Sequence, residues 1–176
     1  MIQYYENFLT EDECDEIVKK IDENNHRSYV VGYGEEDNDV SDTRTSHTSN
    51  LGADTLITGI HRRISKTLDI PLDRGETLQG QVYSPGQFFK PHTDYFEQEG
   101  FLKHCLHSGN RTHTFMIYLN DVEEGGETNF PELGLSIKPK KGMAISWPDM
   151  LNGKPASAFL HEGSEVKKGK KQNESQ

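Results

Sequence analysis

The hydrophobic pattern first predicts a helix near the N-terminus. Its apolar residues recur at intervals of three or four positions and share one helical face: Cys14, Ile17, Val18 and Ile21. Thr10 and Glu13 have the spacing of a capping box, and the acidic residues between them favour the positive end of a helix dipole. The pattern therefore predicts an amphipathic helix over residues 11–24, with Cys14 as a small core residue.

A second apolar stripe predicts another helix over residues 53–68. The residues of this stripe are Leu56, Ile57, Ile60, Ile64 and Leu68. Pro71 lies just beyond the stripe and cannot continue a helix, because it has no backbone N–H. Between the two helices, residues 28–33 form a short β-rich run, and an acidic loop follows at residues 34–39.

The second half of the chain has the texture of strands. Short runs rich in β-branched and aromatic residues alternate with Gly, Pro, Asn and Asp, at 77–83, 113–119, 142–147 and 157–161. Helices followed by strands predict an α+β fold, with a double-stranded β-helix (jelly-roll) core at 77–171 and supporting N-terminal helices within 1–70. We expect one domain over residues 1–171. Residues 167–176 contain no apolar side chain, so residues 172–176 are predicted to be a solvated tail.

The amino-acid composition of the chain limits the kinds of partner and cofactor that the protein is expected to bind. With 19 basic and 29 acidic residues among 176, the formal charge is −10, which argues against binding a nucleic-acid backbone. No stretch approaches the roughly 18 apolar residues of a membrane span. The first residues show no basic region followed by an apolar run, which predicts a cytoplasmic protein. The 2 cysteines are too few for a disulfide framework, whereas 8 histidines direct attention to metal binding.

One histidine lies in a metal-binding pattern. Non-haem Fe(II) is held by two imidazoles and a carboxylate on one side of the ion, and His-x-Asp on an extended chain presents two such ligands together. Among the 8 histidines only His92-Thr93-Asp94 fits. A lone triplet of this kind is weak evidence. By themselves His161 and Trp147 are better explained as core residues, and His104, His107 and His113 as surface or pocket-rim residues.

The triplet belongs to an ordered series of motifs. Along the chain these are Arg44-Thr45-Ser46, Tyr83-Ser84-Pro85-Gly86-Gln87, Phe88 to Tyr95, Arg111 with Thr114, Gly125 to Pro131, Pro139 to Ile145, Leu160-His161-Glu162-Gly163 and Gly169-Lys170-Lys171. The series resembles the prolyl 4-hydroxylase group of the 2-oxoglutarate/Fe(II) dioxygenases over about residues 42–171. Several separate motifs in the same order make this resemblance more specific than the metal triplet alone.

The resemblance implies a set of roles. His92, Asp94 and His161 would be the iron ligands, and Lys171 would pair with the C5 carboxylate of 2-oxoglutarate. Tyr83 and Thr128 match positions whose hydroxyls help to hold that co-substrate, and Arg111 matches a substrate-binding position. The implied enzyme is an oxidoreductase, a dioxygenase that uses Fe(II), 2-oxoglutarate and O₂ to hydroxylate peptidyl proline, releases succinate and CO₂, and takes ascorbate as reductant.

Several alternatives stay open. The family continues after the Lys with an apolar strand that this chain lacks, which could weaken co-substrate binding or make Lys170 the anchor. The substrate could be another side chain or a small molecule, and a catalytically silent jelly-roll binding module is the alternative from a different class. The acidic loop at 35–42 could be a lid over a peptide substrate.

Overall fold

A computed structural model of the chain describes residues 1–28, 43–106 and 109–176. Its helices are α1 (Glu11–Asn24), α2 (Thr55–Leu68) and α3 (Gln98–His104). Its strands are β1 (Gln3–Tyr5), β2 (His26–Arg27), β3 (His47–Asn50), β4 (Gln79–Tyr83), β5 (Phe89–His92), β6 (His113–Tyr118), β7 (Glu124–Gly125), β8 (Thr128–Phe130), β9 (Leu135–Ile137), β10 (Ala144–Pro148), β11 (Met150–Leu151), β12 (Lys154–Pro155), β13 (His161–Gly163), β14 (Val166–Lys168) and β15 (Lys171–Ser175).

Both predicted helices are confirmed. Capping hydrogen bonds from side chains stabilise the first turn of each helix. Thr10 Oγ1 accepts a hydrogen bond from the Glu13 N–H at 3.2 Å, and Glu13 Oε2 accepts one from the Thr10 N–H at 2.9 Å. In α2, Asp54 Oδ1 accepts from the Ile57 N–H at 3.0 Å, so this helix starts two residues later than the stripe suggested. The short helix α3 was not predicted.

Two antiparallel sheets face each other across a cavity. The larger sheet has the order β1-β10-β6-β15-β4-β3-β2, and the smaller has the order β5-β13-β8-β9. Helices α1 and α2 cover the outer face of the larger sheet through a core that includes Ile17 and Ile21 of α1, Ile60 of α2 and Ile117 of β6. This arrangement is the predicted double-stranded β-helix on helical support. Strands β1, β2 and β3 come from the first 50 residues, so the N-terminal region also completes both edges of the larger sheet.

The prediction of a solvated C-terminal tail is wrong. Residues 171–175 form β15, which lies between β6 and β4 in the middle of the larger sheet. Gln172, Asn173 and Glu174 are buried. The polar composition of these residues did not predict a strand, because β15 is stabilised by backbone hydrogen bonds to both neighbouring strands rather than by apolar side chains. The strand predicted at 157–161 is also misplaced, since Ser157–Phe159 is a 3₁₀ turn and the strand begins at His161.

Some sequence predictions concern residues outside the described part of the chain. These are most of the β-rich run at 28–33, the acidic loop at 35–42 with its lid hypothesis, and His107. Among the described residues, no helix combines the length and apolar character needed to cross a membrane.

Candidate metal centre and adjoining cavity

The fold brings His92, Asp94 and His161 together at the cavity. His92 ends β5 and His161 begins β13, and the antiparallel register places these two residues directly opposite each other. Their ring centroids are 4.3 Å apart. Nε2 of His92 lies 3.7 Å from Asp94 Oδ1, and Nε2 of His161 lies 3.6 Å from Asp94 Oδ2. Each residue thus offers one ligand atom, and all three atoms lie within 4.8 Å of one another.

Backbone carbonyls set the tautomer of both imidazoles. His92 Nδ1 is 2.8 Å from the carbonyl oxygen of Lys90, and His161 Nδ1 is 3.0 Å from that of Phe159. A carbonyl oxygen can only accept, so Nδ1 carries the proton in each ring and the Nε2 lone pairs point toward Asp94. This is the tautomer that a metal ion requires.

The protonation states also suit a cation. Burial, and then the neighbouring His161, lower the pKa of His92 to about 4, so its imidazole is neutral. Burial opposes ionisation of Asp94, but His161, His92 and a hydrogen bond from Thr114 hold the pKa of its carboxyl below the ordinary value. Two imidazoles and one carboxylate are the donor set that non-haem Fe(II) takes. The residues present therefore fit that ion.

Aromatic rings pack behind the two imidazoles. The Phe89 ring stacks on His92 at a centroid distance of 3.5 Å. Trp147, the only tryptophan, lies 4.8 Å from the His161 ring and is 2% exposed. Trp147 is therefore both a core residue, as predicted, and part of the cavity wall. This packing leaves the imidazoles little rotational freedom.

Lys171 lies in the wall of the same cavity, which has a volume of about 570 Å³. Its side chain is buried, with Nζ 5.4 Å from the centre of the Tyr83 ring and 5.7 Å from that of Tyr118. Burial lowers the pKa of Lys171 to about 8. Within the described residues Lys171 has no carboxylate at ion-pair distance. A buried ammonium is costly without an anion, so the cavity is suited to one at this point.

Lys170 has a different environment. Its Nζ forms a 2.6 Å ion pair with Asp22 of α1, and its side chain is 42% exposed. Adjacent strand residues point to opposite faces, so only Lys171 of the two lysines faces the space between the sheets. On this geometry Lys171, rather than Lys170, is positioned to meet a ligand in the cavity.

Tyr83 and Thr128 are both buried and both line the cavity. Thr128 Oγ1 accepts a 2.8 Å hydrogen bond from the hydroxyl of Tyr118, a buried residue that the sequence did not single out. Since that bond uses a lone pair of Thr128, the proton of the Thr128 hydroxyl stays available to a ligand. The Tyr83 hydroxyl is 3.4 Å from Gln81 Oε1, which makes a weak contact.

Arg111 lies beside the candidate metal ligands and is held from several sides. Its Nε and Nη2 donate to the two carboxylate oxygens of Glu76 at 2.6 and 2.8 Å, and its Nη1 donates to the Asp94 carbonyl at 3.2 Å. The guanidinium also lies 4.8 Å from the centre of the Phe96 ring. Sequence reasoning found Arg111 but missed Glu76, because nothing local distinguishes this acidic residue from the others in an acidic chain.

The remaining histidines form no second centre in the described residues. The one group of three or more potential ligands found there is His92, Asp94 and His161. His113 begins β6 at the cavity rim, with Nδ1 3.3 Å from Thr112 Oγ1. The side chain of His104 and the whole of His107 lie outside the described part.

Comparisons with known proteins agree with this geometry. Residues 78–173 match the model of the 2OG-Fe(II) oxygenase superfamily. Two plant relatives are prolyl 4-hydroxylase 2 and probable prolyl 4-hydroxylase 10 of Arabidopsis thaliana, which are 32% and 37% identical over 95% of this chain. The chain spans 63% and 64% of those two relatives' own lengths.

A solved structure shares the architecture. The viral collagen prolyl hydroxylase of Paramecium Bursaria Chlorella virus-1, solved as a 2OG complex, superposes with a TM-score of 0.73 at 26% identity, covering 99% of this chain and 93% of that one. A double-stranded β-helix with two histidines and an aspartate at its cavity defines a class of metal-dependent oxygenases. This chain belongs to the 2OG-Fe(II) oxygenase superfamily.

Proposed function

We propose that the protein is a 2-oxoglutarate- and O₂-dependent hydroxylase of peptidyl proline, acting at C4 and releasing succinate and CO₂. The observation that supports this most is the pairing of two features in one cavity. His92, Asp94 and His161 place three potential ligand atoms within 4.8 Å of one another, and the buried Lys171 ammonium lies in the wall of the same cavity. An anionic co-substrate that also binds the metal would satisfy both.

Each residue then has a role. His92, Asp94 and His161 hold Fe(II), and Lys171 neutralises the C5 carboxylate of 2-oxoglutarate with a hydrogen bond from Thr128, while Tyr83 adds a further hydroxyl. Fe(II) with 2-oxoglutarate and O₂ supplies the oxidising chemistry for an unactivated C–H bond. The protein contributes binding, orientation and the exclusion of water. Ascorbate as reductant is part of this proposal, and the cytoplasmic location stays a prediction.

The choice of peptidyl proline is supported by the names of the relatives and by the position of Arg111. Arg111 lies beside Asp94, and its two bonds to Glu76 hold the guanidinium in a fixed orientation. A fixed guanidinium beside the metal can donate to a peptide carbonyl. The same chemistry on another side chain or a small molecule, and a silent jelly-roll binding module, are the alternatives that an experiment must separate.

Turnover of labelled 2-oxoglutarate tests the proposal. With Fe(II), ascorbate and a proline-rich peptide, the protein should release CO₂, and the peptide should gain one oxygen by mass spectrometry. His92→Ala, Asp94→Ala and His161→Ala should each lower turnover by about 10³-fold or more, on the order of the loss for removing a group essential to the chemistry. His26→Ala, on the exposed edge strand β2, is the matched control and should keep wild-type turnover.

The outcomes distinguish the alternatives. Release of CO₂ without oxygen gain in any proline peptide would point to another substrate. Peptide binding without any CO₂ release would favour the silent binding module. Full activity in any of the three ligand variants would show that the metal assignment is wrong.

A further inference from the structure

A buried carboxyl group outside the proposed ligand set lies close to it. Asp149 follows β10 and is 3% exposed. Its Oδ2 lies 2.9 Å from Thr114 Oγ1, and the same hydroxyl lies 2.7 Å from Oδ2 of Asp94. The hydroxyl of Thr114 is therefore placed between two carboxyl groups, one of which is a proposed metal ligand.

A count of protons shows what this arrangement needs. A threonine hydroxyl has one proton, so it can donate to only one of the two carboxyl oxygens. If both carboxyls were ionised, the other contact would bring two acceptors together with no proton between them in a buried setting, which is costly. A proton on Asp149 removes that conflict, because Asp149 then donates to Thr114 and Thr114 donates to Asp94.

The backbone holds Asp149 in register with Thr114. The Asp149 N–H donates to the carbonyl of Thr112 at 2.8 Å, and the Asp149 carbonyl accepts from the Ala156 N–H at 2.9 Å. Two residues earlier, Trp147 is paired directly with Thr114 in the ladder between β10 and β6. The separation of the carboxyl and the hydroxyl is thus set by the sheet rather than by a flexible loop.

The surrounding charges agree with a protonated Asp149. Burial, and then the negative charges of Asp94 and Glu76, raise the pKa of its carboxyl to about 7, although Thr114 and Arg111 act to lower it. Asp94 has the opposite environment, since it faces the two imidazoles. The two carboxyls are therefore distinguished by their neighbours, and Asp149 is the one that keeps the proton.

We propose that Asp149 is a positioning residue of the metal centre: its carboxylic acid donates to Thr114, which directs the Thr114 hydroxyl to Asp94 Oδ2 and fixes the rotation of that carboxylate. Asp94 Oδ1 is then the oxygen that has no hydrogen-bond partner among the described residues and is presented to the ion. Asp149 itself touches no reacting atom. This inference rests on the proposed function, since it takes Asp94 as a metal ligand.

Metal affinity can be measured without turnover. Because Trp147 is the only tryptophan and lies 4.8 Å from the ring of His161, quenching of its fluorescence by Co(II) should report occupancy of the centre. Thr114→Val removes one donor at nearly constant volume, and Asp149→Leu replaces the other by an apolar side chain with the same branching. Each should weaken Co(II) binding by roughly 10- to 100-fold, the usual cost of losing a group that orients a ligand. Asp149→Asn keeps a donor and should bind Co(II) within about 3-fold of wild type, since the orienting hydrogen bond is retained.

The double variant adds a second criterion. If the two residues act as one chain, Asp149→Leu combined with Thr114→Val should bind Co(II) no more weakly than the weaker single variant. Asp149→Asn binding as poorly as Asp149→Leu would overturn the proposal, and so would wild-type affinity in Thr114→Val. If Asp149→Leu fails to fold by circular dichroism, Thr114→Val and Asp149→Asn decide the matter.

One control separates this inference from the proposed function. His92→Ala should abolish the Co(II)-dependent quenching. If quenching survives in His92→Ala, the ligand set itself is wrong and the proposed function fails. If quenching is lost in His92→Ala but unchanged in Asp149→Leu and Thr114→Val, only the role of Asp149 fails.

Discussion

Lys171 and Glu174 lie on the same strand, β15, and are both buried, but they point to opposite sides of the larger sheet. Lys171 faces the cavity, as do Asn173 and Ser175. Glu174 points toward the helix layer, as does Gln172, which donates to Asp22 of α1 at 3.1 Å. Burial lowers the pKa of Lys171 to about 8 and raises the pKa of Glu174 to about 8.

The difference between them lies in what surrounds each charge. Lys171 adjoins a space large enough for a small dicarboxylate, so a ligand can compensate its burial. Glu174 lies opposite Gly80 and Ile117, next to the apolar helix layer, and neither of its carboxylate oxygens has a hydrogen-bond partner in the described part of the chain. The same desolvation penalty thus supports the proposed binding site at Lys171, whereas at Glu174 it lowers the stability of the fold. Nothing among the described residues explains a carboxylate at position 174.

The largest effect should come from removing the Lys171 charge. Lys171→Met keeps the length of the side chain, and it should weaken 2-oxoglutarate binding by about 3 kcal/mol, roughly 150-fold, because the co-substrate carboxylate is left buried and unpaired. Titration calorimetry of 2-oxoglutarate into the Co(II)-loaded protein measures this. Lys170→Met is the matched control and should bind normally. An equal loss of 2-oxoglutarate affinity in both variants would mean that the cavity geometry does not identify the lysine that pairs with the C5 carboxylate.

The pH dependence sharpens the same test. The folded pKa of Lys171, about 8, lies below its ordinary value of 10.5, so the unfolded chain binds more protons between these values. Burial of the Lys171 ammonium therefore destabilises the folded state by its full amount below pH 8. This destabilisation disappears as the pH rises toward 10.5. Since 2-oxoglutarate needs the charged ammonium, its affinity should be constant below pH 8 and then fall about tenfold per unit. A flat profile above that pH would contradict the assignment.

Glu174→Gln should have the next largest effect, and on stability rather than binding. The pKa of the buried carboxyl is raised from 4.5 to about 8, so the folded state holds the proton more tightly and stability falls as the pH rises between these values. Gln removes the titration and should raise the free energy of unfolding at pH 7 by up to about 3 kcal/mol. Urea unfolding at several pH values measures the free energy of unfolding of the variant and of the wild type.

The control for Glu174 is an exposed glutamate elsewhere on the chain. Glu165→Gln removes an exposed carboxyl, and it should change the free energy of unfolding at pH 7 by less than about 0.5 kcal/mol. If wild type and Glu174→Gln show the same slope between pH 4.5 and 8, the carboxyl is not buried in the way that the structure describes.

The smallest effect should come from Tyr118→Phe. This change removes only the hydrogen bond to Thr128 Oγ1, which leaves the Thr128 hydroxyl free to rotate away from the cavity. The expected loss in 2-oxoglutarate affinity is about 1 kcal/mol, or roughly 5-fold, with the protein still folded. Calorimetry of 2-oxoglutarate binding to Tyr118→Phe, Thr128→Val and the double variant measures the coupling energy between the two hydroxyl groups. Strictly additive losses would show that the two hydroxyls act independently.

The features that depend on local spacing could be predicted from the sequence. Helices α1 and α2 follow from apolar periodicity, and α1 also follows from the capping box at Thr10. The His92-x-Asp94 spacing already places two potential ligands at the end of one strand. The ordered motifs around them indicated the family, and with it His161 and Lys171. These features share a physical basis, because each depends on side chains within a few residues or on a motif with a fixed order.

The burial of polar residues and their contacts could not be predicted from the sequence and became visible in the folded chain. β15 is a central strand because β6 and β4 hydrogen-bond it from both sides, although its own side chains are polar. The contacts of Glu76 with Arg111 and of Asp149 with Thr114 join residues 35 positions apart. Pairings over such distances depend on how the sheets align, and periodicity within a single segment contains no information about that alignment.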